Sequence, residues 1–523
     1  MKKYLLLLAL NCLSTFYYAQ EDGLTKVTPE TAANKVKVGN YEDALVDYLQ
    51  LLNEDPKNES YNYNVGVCYL NSNMNKAKAV PYLEIVTRKP KHDPNADYLL
   101  GRAYHYSNRF DDAIAAFNKF KLDAKGTVFN LVDADLQIQH CINAKELMKF
   151  PVDVVFQNLG PNINSEYNDY YPFVTSNESF IVYNTKRPEK NAQELENGSY
   201  NNSIYISKVV NGGYVKAGPI GAPINAGNDG TEVIGLSENG DNILLYKPDG
   251  SGKGNIYISH LNAKGTYSKP EKLDAKINSG GDEIAATISP DGNVLIFASS
   301  RKGGLGGTDI YICRKLPAKG GSWSLPQNAG PEINTPYDED FPNISPDGKT
   351  LYFSSKGHTS MGGYDIFKSN YDQTNNTFST SKNIGYPINT TDDDMNFRIS
   401  KNAKYGYIAS AKAGGLGDFD IYRVTFNEVE NDYSVVIGQF STKDNSAINY
   451  SDVFISVHDN ITNELVGNYL PNPANGRFVV ILPTGKYQMT IEVAGFKTVT
   501  KNIEVFDKVS YQAEINMNIE LNK

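Results

Sequence analysis

The sequence predicts a chain of several domains: all-α helical repeats, then a five-bladed β-propeller, then a β-sandwich. Three observations carry this. A motif cycle recurs five times between Ile163 and Tyr422. The stretch before it has a helical pattern that repeats about every 34 residues. The stretch after it alternates apolar and polar residues between tight-turn signals.

The N-terminus reads as a secretion signal over residues 1–20. Lys2-Lys3 give a positive start, Tyr4 to Leu10 an apolar run, and Ala19-Gln20 a small-residue end before Glu21-Asp22. The run is too short for a stable membrane span. Cys12 raises a lipoprotein alternative, though Asn11 is a poor residue before a lipidated cysteine. No other apolar run reaches membrane-spanning length. At 523 residues, two to four domains are expected. The formal charge of −10 leaves no basic surplus for phosphates, so nucleic acid is not expected as a partner. Beyond the signal, Cys68, Cys141 and Cys313 form neither a CxxC pair nor an even set. Packed free thiols are expected, not a disulfide framework.

Residues 25–150 read as helical. Tyr82 and Pro90 fall 34 residues after Tyr48 and Pro56, and Gly101 and Tyr104 fall 35 after Gly66 and Tyr69. Ala44, Ala113 and Phe117 complete the pattern. Small residues let paired helices approach, aromatics fill the seam, and proline ends each unit. The stretch resembles three tetratricopeptide repeats, with Asn40-Tyr41 and Asn108-Arg109 at turns and Lys78 where alanine is usual. A further helix from about Thr127 to Phe150, with Leu131, Ala134, Ile138, Cys141, Ile142 and Leu147, is expected to cap the stack. The groove of such repeats could hold a peptide, or the repeats could act as a spacer.

Residues 151–427 carry the cycle. It opens with Ile163-Asn164, Ile224-Asn225, Ile277-Asn278, Ile333-Asn334 and Ile388-Asn389. It closes with Ile204-Tyr205, Ile256-Tyr257, Ile310-Tyr311, Ile366-Phe367 and Ile421-Tyr422, spaced 52, 54, 56 and 55 residues apart. Such a period, built from short strands and glycine-rich turns, predicts one propeller blade per cycle. Ser345-Pro346-Asp347-Gly348 and Ser289-Pro290-Asp291-Gly292 make tight turns between strands. Val152 to Leu159 reads as an outer strand with no blade before it, and the last cycle lacks an outer strand. Ring closure by that strand follows, which removes open edges. A sixth blade is the alternative if Pro188 to Ser203 hides strands. Residues 432–523 alternate over Ser434–Gly438, Val453–Val457, Phe478–Leu482, Tyr487–Val493 and Val499–Val505, which predicts the sandwich.

The search for chemistry returns mostly structural readings. Acidic groups recur near the inner-strand starts: Asp169, Asp229 with Glu232, Asp282 with Glu283, Asp338 with Glu339 and Asp340, and Asp392 with Asp393 and Asp394. Carboxylates around a channel could serve a glycosidase, but acid and base need different surroundings. Recurrence in register favours turn capping. Asp282, Glu283, Asp338, Glu339, Asp392 and Asp393 are therefore candidate rim or interaction residues, and no catalytic residue is expected. The six histidines lack metal-ligand spacing, and no cofactor or metal is expected. Gly303-Gly304-Leu305-Gly306-Gly307 and Gly414-Gly415-Leu416-Gly417 lack the Lys-Ser/Thr of a phosphate loop and read as hairpin turns. Trp323 reads as outer-strand packing.

The Ser-Pro-Asp-Gly turns and Asp-Ile-Tyr strands resemble the PD40 group of WD40-like propellers. Gly476, Phe478, Leu482-Pro483, Gly485, Tyr487 and Gly495-Phe496 resemble the carboxypeptidase regulatory-like domain. In this order, the three modules resemble PorE-like periplasmic components of the Bacteroidetes type IX secretion and gliding machinery. The resemblance implies a non-enzymatic periplasmic scaffold, peripheral to the outer membrane. It also implies as partner an outer-membrane secretion barrel or a PorP/SprF-like membrane protein, with other periplasmic secretion components. PorE-like proteins continue into an OmpA-like peptidoglycan-binding domain, and this sequence stops at Lys523, so direct peptidoglycan anchoring is not implied. A subunit closing the periplasmic mouth of the translocon is one role in that family without the anchor. The alternative is an envelope glycan-binding protein or propeller glycosidase.

Overall fold

The computed structural model describes residues 27–124, 128–189, 192–225, 230–317, 322–412, 414–427, 433–443, 446–505 and 514–523. The expected signal over residues 1–20, with Cys12, lies outside them, as does Asp229. The chain divides into two units, residues 1–138 with 190–200, and residues 139–189 with 201–523.

Helices come first: α1 Pro29–Lys37, α2 Tyr41–Glu54, α3 Glu59–Asn71, α4 Val80–Thr87, α5 Asn95–Tyr106, α6 Phe110–Asp123 and α7 Val128–Leu147. Thr28, Asn40 and Asn58 cap α1, α2 and α3 by accepting backbone N–H groups that would otherwise be orphaned. The expected small-residue crossings are present. A Cβ on Gly66 would lie 2.6 Å from Leu83, and one on Gly101 would lie 2.7 Å from the Phe117 ring. Around Lys78 the chain forms a 3-10 turn, Lys76–Ala79, in place of regular helix. In α7, Ala134, Cys141 and Ala144 are buried, but Ile142, expected to face inward, is exposed. A helix turns 100° per residue, so position 142 falls off the line through 134, 141 and 144.

Five antiparallel sheets follow and form a propeller-like β domain. The first holds Asp169–Val174, Phe180–Thr185, Ser203–Val210, Gly213–Tyr214 and Gly218–Pro219, the last two both pairing with the third strand; the second holds Glu232–Leu236, Asn242–Pro248, Gly254–His260 and Glu271–Lys272. The third holds Glu283–Ile288, Val294–Ser299, Asp309–Arg314 and Gln327–Asn328; the fourth holds Glu339–Ile344, Thr350–Ser355, Asp365–Asp372, Thr377–Phe378 and Lys382–Asn383, the last two both pairing with the third strand. The fifth holds Arg398–Ile399, Tyr405–Ser410 and Asp420–Phe426, and its outer strand is Val154–Asn158 from before the first sheet. That strand pairs in register from Val154 opposite Phe426 to Asn158 opposite Tyr422. The described residues of the 188–202 insertion contain no strand.

The recurring Ile-Asn pair is what ties sheet to sheet. Each isoleucine is buried. Each asparagine amide pairs with both backbone groups of one isoleucine on the preceding sheet, as a neighbouring strand would. Ile310 N–H donates to Asn334 Oδ1 at 2.8 Å, and Asn334 Nδ2 donates to Ile310 carbonyl at 2.9 Å. Asn225 does this to Ile204, Asn278 to Ile256, Asn389 to Ile366, and Asn164 to Ile421.

Past residue 432, two further sheets share one core. Phe478–Pro483, Tyr433–Thr442 and Glu514–Leu521 form one, and Leu465–Tyr469, Val453–Asp459, Gly485–Val493 and Val499–Val505 the other. Val436, Ile455, Phe478, Met489 and Ile519 meet between them. Alternate residues of Phe478–Pro483 are buried, as period-two patterning requires.

Candidate functional site

The recurrent acids are bound into turns. In four cycles, the Ser or Thr after the asparagine donates its N–H to a buried carboxylate four residues on. Ser165 reaches Asp169 at 2.7 Å, Ser279 reaches Glu283 at 3.0 Å, Thr335 reaches Glu339 at 2.7 Å, and Thr390 reaches Asp394 at 2.6 Å. The hydroxyls donate to the same carboxylates. The preceding acid accepts an N–H at the start of the neighbouring sheet's third strand: Gly254 to Asp282 at 2.6 Å, Thr308 to Asp338 at 3.2 Å and Tyr364 to Asp393 at 2.8 Å. Lys356 also pairs with Asp338 at 2.9 Å.

Thus Asp282, Asp338 and Asp393 join neighbouring sheets, while Glu283 and Glu339 hold the turn before their own sheet to its second strand. The pair in register in the fifth cycle is Asp393-Asp394, not Asp392-Asp393. Asp392 sits one position early, and its N–H donates to Thr390 Oγ1. Burial pushes Glu339 up to about 7 and Asp394 up to about 8.

The glycine loops are hairpin turns. Leu305 and Gly306 N–H groups close on Asp309, Leu416 and Gly417 on Asp420, and Met361 on Asp365. A side chain on Gly417 would lie 2.5 Å from the Ser165 carbonyl. The backbone itself packs there, which leaves no cradle for a phosphate.

One cycle departs. Glu232 lies seven positions after Asn225, where the other cycles place the carboxylate five after the asparagine. The residue directly after Asn225 is Ala226, where the other cycles have Ser or Thr. Glu232 instead accepts from Tyr170 Oη at 3.4 Å and from Asn202 Nδ2. Burial pushes its carboxyl up to about 7 against the opposing influence of Lys186. With Tyr170, Tyr171, Lys186, Asn202 and Phe419 it lines a cavity of about 280 Å³ at the starts of the inner strands.

Tyr171 and Phe341 then meet across the domain. Their rings come from the first and fourth sheets, with centroids 4.5 Å apart. Both sit at β-bulges, with φ of 50° and 48°. The irregular backbone turns both rings inward. A second cavity, of about 40 Å³, lies at the inner-strand ends among Phe173, Leu236, Thr287, Asn343 and Arg398.

The larger cavity can donate and accept hydrogen bonds to a small polar ligand against tyrosine faces. A carboxyl near neutrality can also move a proton. Asp393, the other acid on that wall, is held by the Tyr364 N–H. Sequence reasoning placed Glu232 among the recurrent acids and passed over Tyr170, Tyr171 and Arg398. The longer spacing after Asn225 was the available signal for Glu232; the others carry none in the motif. Among the described residues, no group of three or more His, Cys, Asp or Glu is placed to hold a metal ion, and no helix is long and apolar enough to cross a membrane.

No known family profile matches this chain, and no curated protein does. Among solved structures it is similar to TolB from Acinetobacter baumannii, at 16% identity over 56% of this chain and 70% of that one, with a TM-score of 0.32. A putative TolB from Agrobacterium tumefaciens matches at 15% identity over 53% of this chain and 98% of its own, TM-score 0.28. A glycoside hydrolase matches at 8% identity over 55% and 95%, TM-score 0.39.

Proposed function

We propose that this protein is a non-enzymatic scaffold of the bacterial envelope, docking on an outer-membrane protein-secretion (type IX) or gliding assembly. In this reading the propeller has five blades. It presents its loops to an outer-membrane secretion barrel or a PorP/SprF-like membrane protein, closing the periplasmic mouth of the translocon. Tetratricopeptide-like repeats recruit a second periplasmic component, and a carboxypeptidase regulatory-like sandwich completes the chain. The observation that carries the non-enzymatic part is the use of the recurrent carboxylates. They are spent on turn and sheet-to-sheet hydrogen bonds. The secretion role rests on the order of the modules in the sequence. Gentle detergent extraction of native membranes, pull-down of the chain and mass spectrometry test it. Recovery of a barrel protein supports the proposal; recovery of the protein alone overturns it.

A second reading has one observation in its favour. Glu232, pushed up to about 7 and bonded to the Tyr170 hydroxyl in a cavity of about 280 Å³, has the protonation behaviour of a general acid. On this reading the protein binds or cleaves an envelope glycan. Polysaccharide cleavage that is abolished in Glu232→Gln would establish it.

A further inference from the structure

Arg398 stands out among the buried charges of the β domain. It lies on the short inner strand of the fifth sheet and is 7% exposed. Its Nη1 donates to Asn343 Oδ1, a neutral acceptor. Asn343 is fixed in that orientation because its Nδ2 donates to the Phe397 carbonyl at 2.9 Å. The guanidinium carbon sits 4.1 Å from the centroid of the Phe173 ring. Its Nε has no partner. Two other arginines of the β domain, each just past the second strand of its sheet, have carboxylate partners: Arg187 pairs with Asp169 at 2.9 Å and Arg301 with Glu283 at 3.4 Å.

A buried cation held only by a neutral amide and a ring face is costly, and buried charges are ordinarily paired. Burial depresses the Arg398 pKa to about 9, and no carboxylate enters among its causes. Glu238 also lines the cavity, with a buried Oε1 that has no hydrogen-bond partner; burial raises its carboxyl, Lys401 opposes that and Asp347 adds to it, and Arg398 is not among these influences. The guanidinium faces a space of about 40 Å³ whose other polar walls include Thr287 and Ser176. One enclosed water needs about 10–15 Å³. The space therefore suits a few heavy atoms and is too small for a sugar.

We propose that this end of the propeller axis is a binding site for one small monoanion, a halide or a carboxylate group, held by Arg398 against the Phe173 ring. The single guanidinium favours a single negative charge. Phosphate or sulfate would need more donors than the Arg398, Thr287 and Ser176 wall offers. The site depends on neither reading of the larger cavity, since it lies at the opposite ends of the inner strands.

The test uses the full chain at neutral pH. Sodium gluconate is exchanged for chloride, bromide or acetate at constant ionic strength, and the melting temperature is followed. A ligand that binds only the folded state raises it, here by about 2–4 °C near saturation. A saturable rise with chloride or acetate is expected for the wild type and for Glu238→Gln, and its loss is expected in Arg398→Met. Saturation by halide but not acetate, or the reverse, identifies the source of the charge. No saturable rise in the wild type overturns the proposal, as does an equal rise in Arg398→Met. A response that appears only in Glu238→Gln also overturns it, because Glu238 would then be the resident counter-ion. Should Arg398→Met not fold, bromide-soaked crystals of the wild type decide. An anomalous peak beside the guanidinium supports the site, and its absence at saturating bromide refutes it.

Discussion

Asn164 and Ile421, separated by 257 positions in the chain, are joined by two hydrogen bonds. Ile421 N–H donates to the asparagine oxygen at 2.8 Å, and the asparagine nitrogen donates back to the Ile421 carbonyl at 3.0 Å. The same pairing links each successive sheet, so this one closes the set. It acts beside the Val154–Asn158 strand, where Asn158 also holds the Asn164 amide at 2.8 Å. The first sheet is thus tied to the fifth both by main-chain ladder and by side-chain amide.

Asn164→Ala removes the partner of two buried backbone groups. Each buried group left unmet costs about 1–3 kcal/mol. A loss of at least about 2 kcal/mol is therefore expected in urea unfolding. The midpoint should fall with little change in slope if the β domain still unfolds as one body. A loss below about 0.5 kcal/mol, typical of surface substitutions, would mean that the strand alone closes the ring.

Gly101→Ala sets helix propensity against packing. Alanine gains about 1 kcal/mol over glycine inside a helix. Its Cβ would lie 2.7 Å from two Phe117 ring carbons, and Phe117 is fully buried with Tyr98 against its ring. Overpacking of this kind costs about 1–3 kcal/mol. Phe117 is wholly buried beside Tyr98, so packing wins and helical stability falls. Far-ultraviolet circular dichroism of the thermal transition should show α5 and α6 melting earlier. A higher melting temperature would mean that the ring gives way at little cost.

Much of the β domain was legible because its motif has a mechanical cause at every position. Ile163, Ile224, Ile277, Ile333 and Ile388 fill seams, and the asparagine after each stands in for a strand. Such requirements repeat with the sheet and therefore show in the sequence. The central residues do not repeat. Tyr171 meets Phe341 at one end of the inner strands and Arg398 meets Phe173 and Asn343 at the other, and each sheet contributes something different. Which ring crosses to which follows from backbone bulges, not from spacing. The shift from Asp392-Asp393 to Asp393-Asp394 has a related origin. Three consecutive aspartates hide the register, and the bonds from Thr390 to Asp394 and from Tyr364 to Asp393 fix it. Ile142 was misplaced for a simpler reason: an apolar residue beside a buried stripe need not belong to it.

The buried carboxylates of the β domain give stability an unusual pH dependence. Burial raises Glu232, Glu339 and Asp340 to about 7 and Asp394 to about 8, against ordinary values of 4.5 for Glu and 3.8 for Asp. Between those limits the folded chain holds protons that the unfolded chain has released. Stability therefore falls as pH rises through the window, and the contribution is fully present only below the ordinary carboxylate range. Asp249, Asp291, Asp372 and Asp459 are lowered, so their contribution is lost only as pH falls below the ordinary Asp value of 3.8. The two groups act in separate windows, and the acid side of neutrality is favoured. The melting temperature should decline from about pH 5 to about pH 8 and flatten above that. Glu232→Gln removes one raised group while keeping an oxygen for the Tyr170 hydroxyl and Asn202, so its decline should be shallower. A melting temperature that climbs between pH 5 and pH 7, in the wild type and in Glu232→Gln alike, would show that these carboxyls are ionised in the folded protein at little cost.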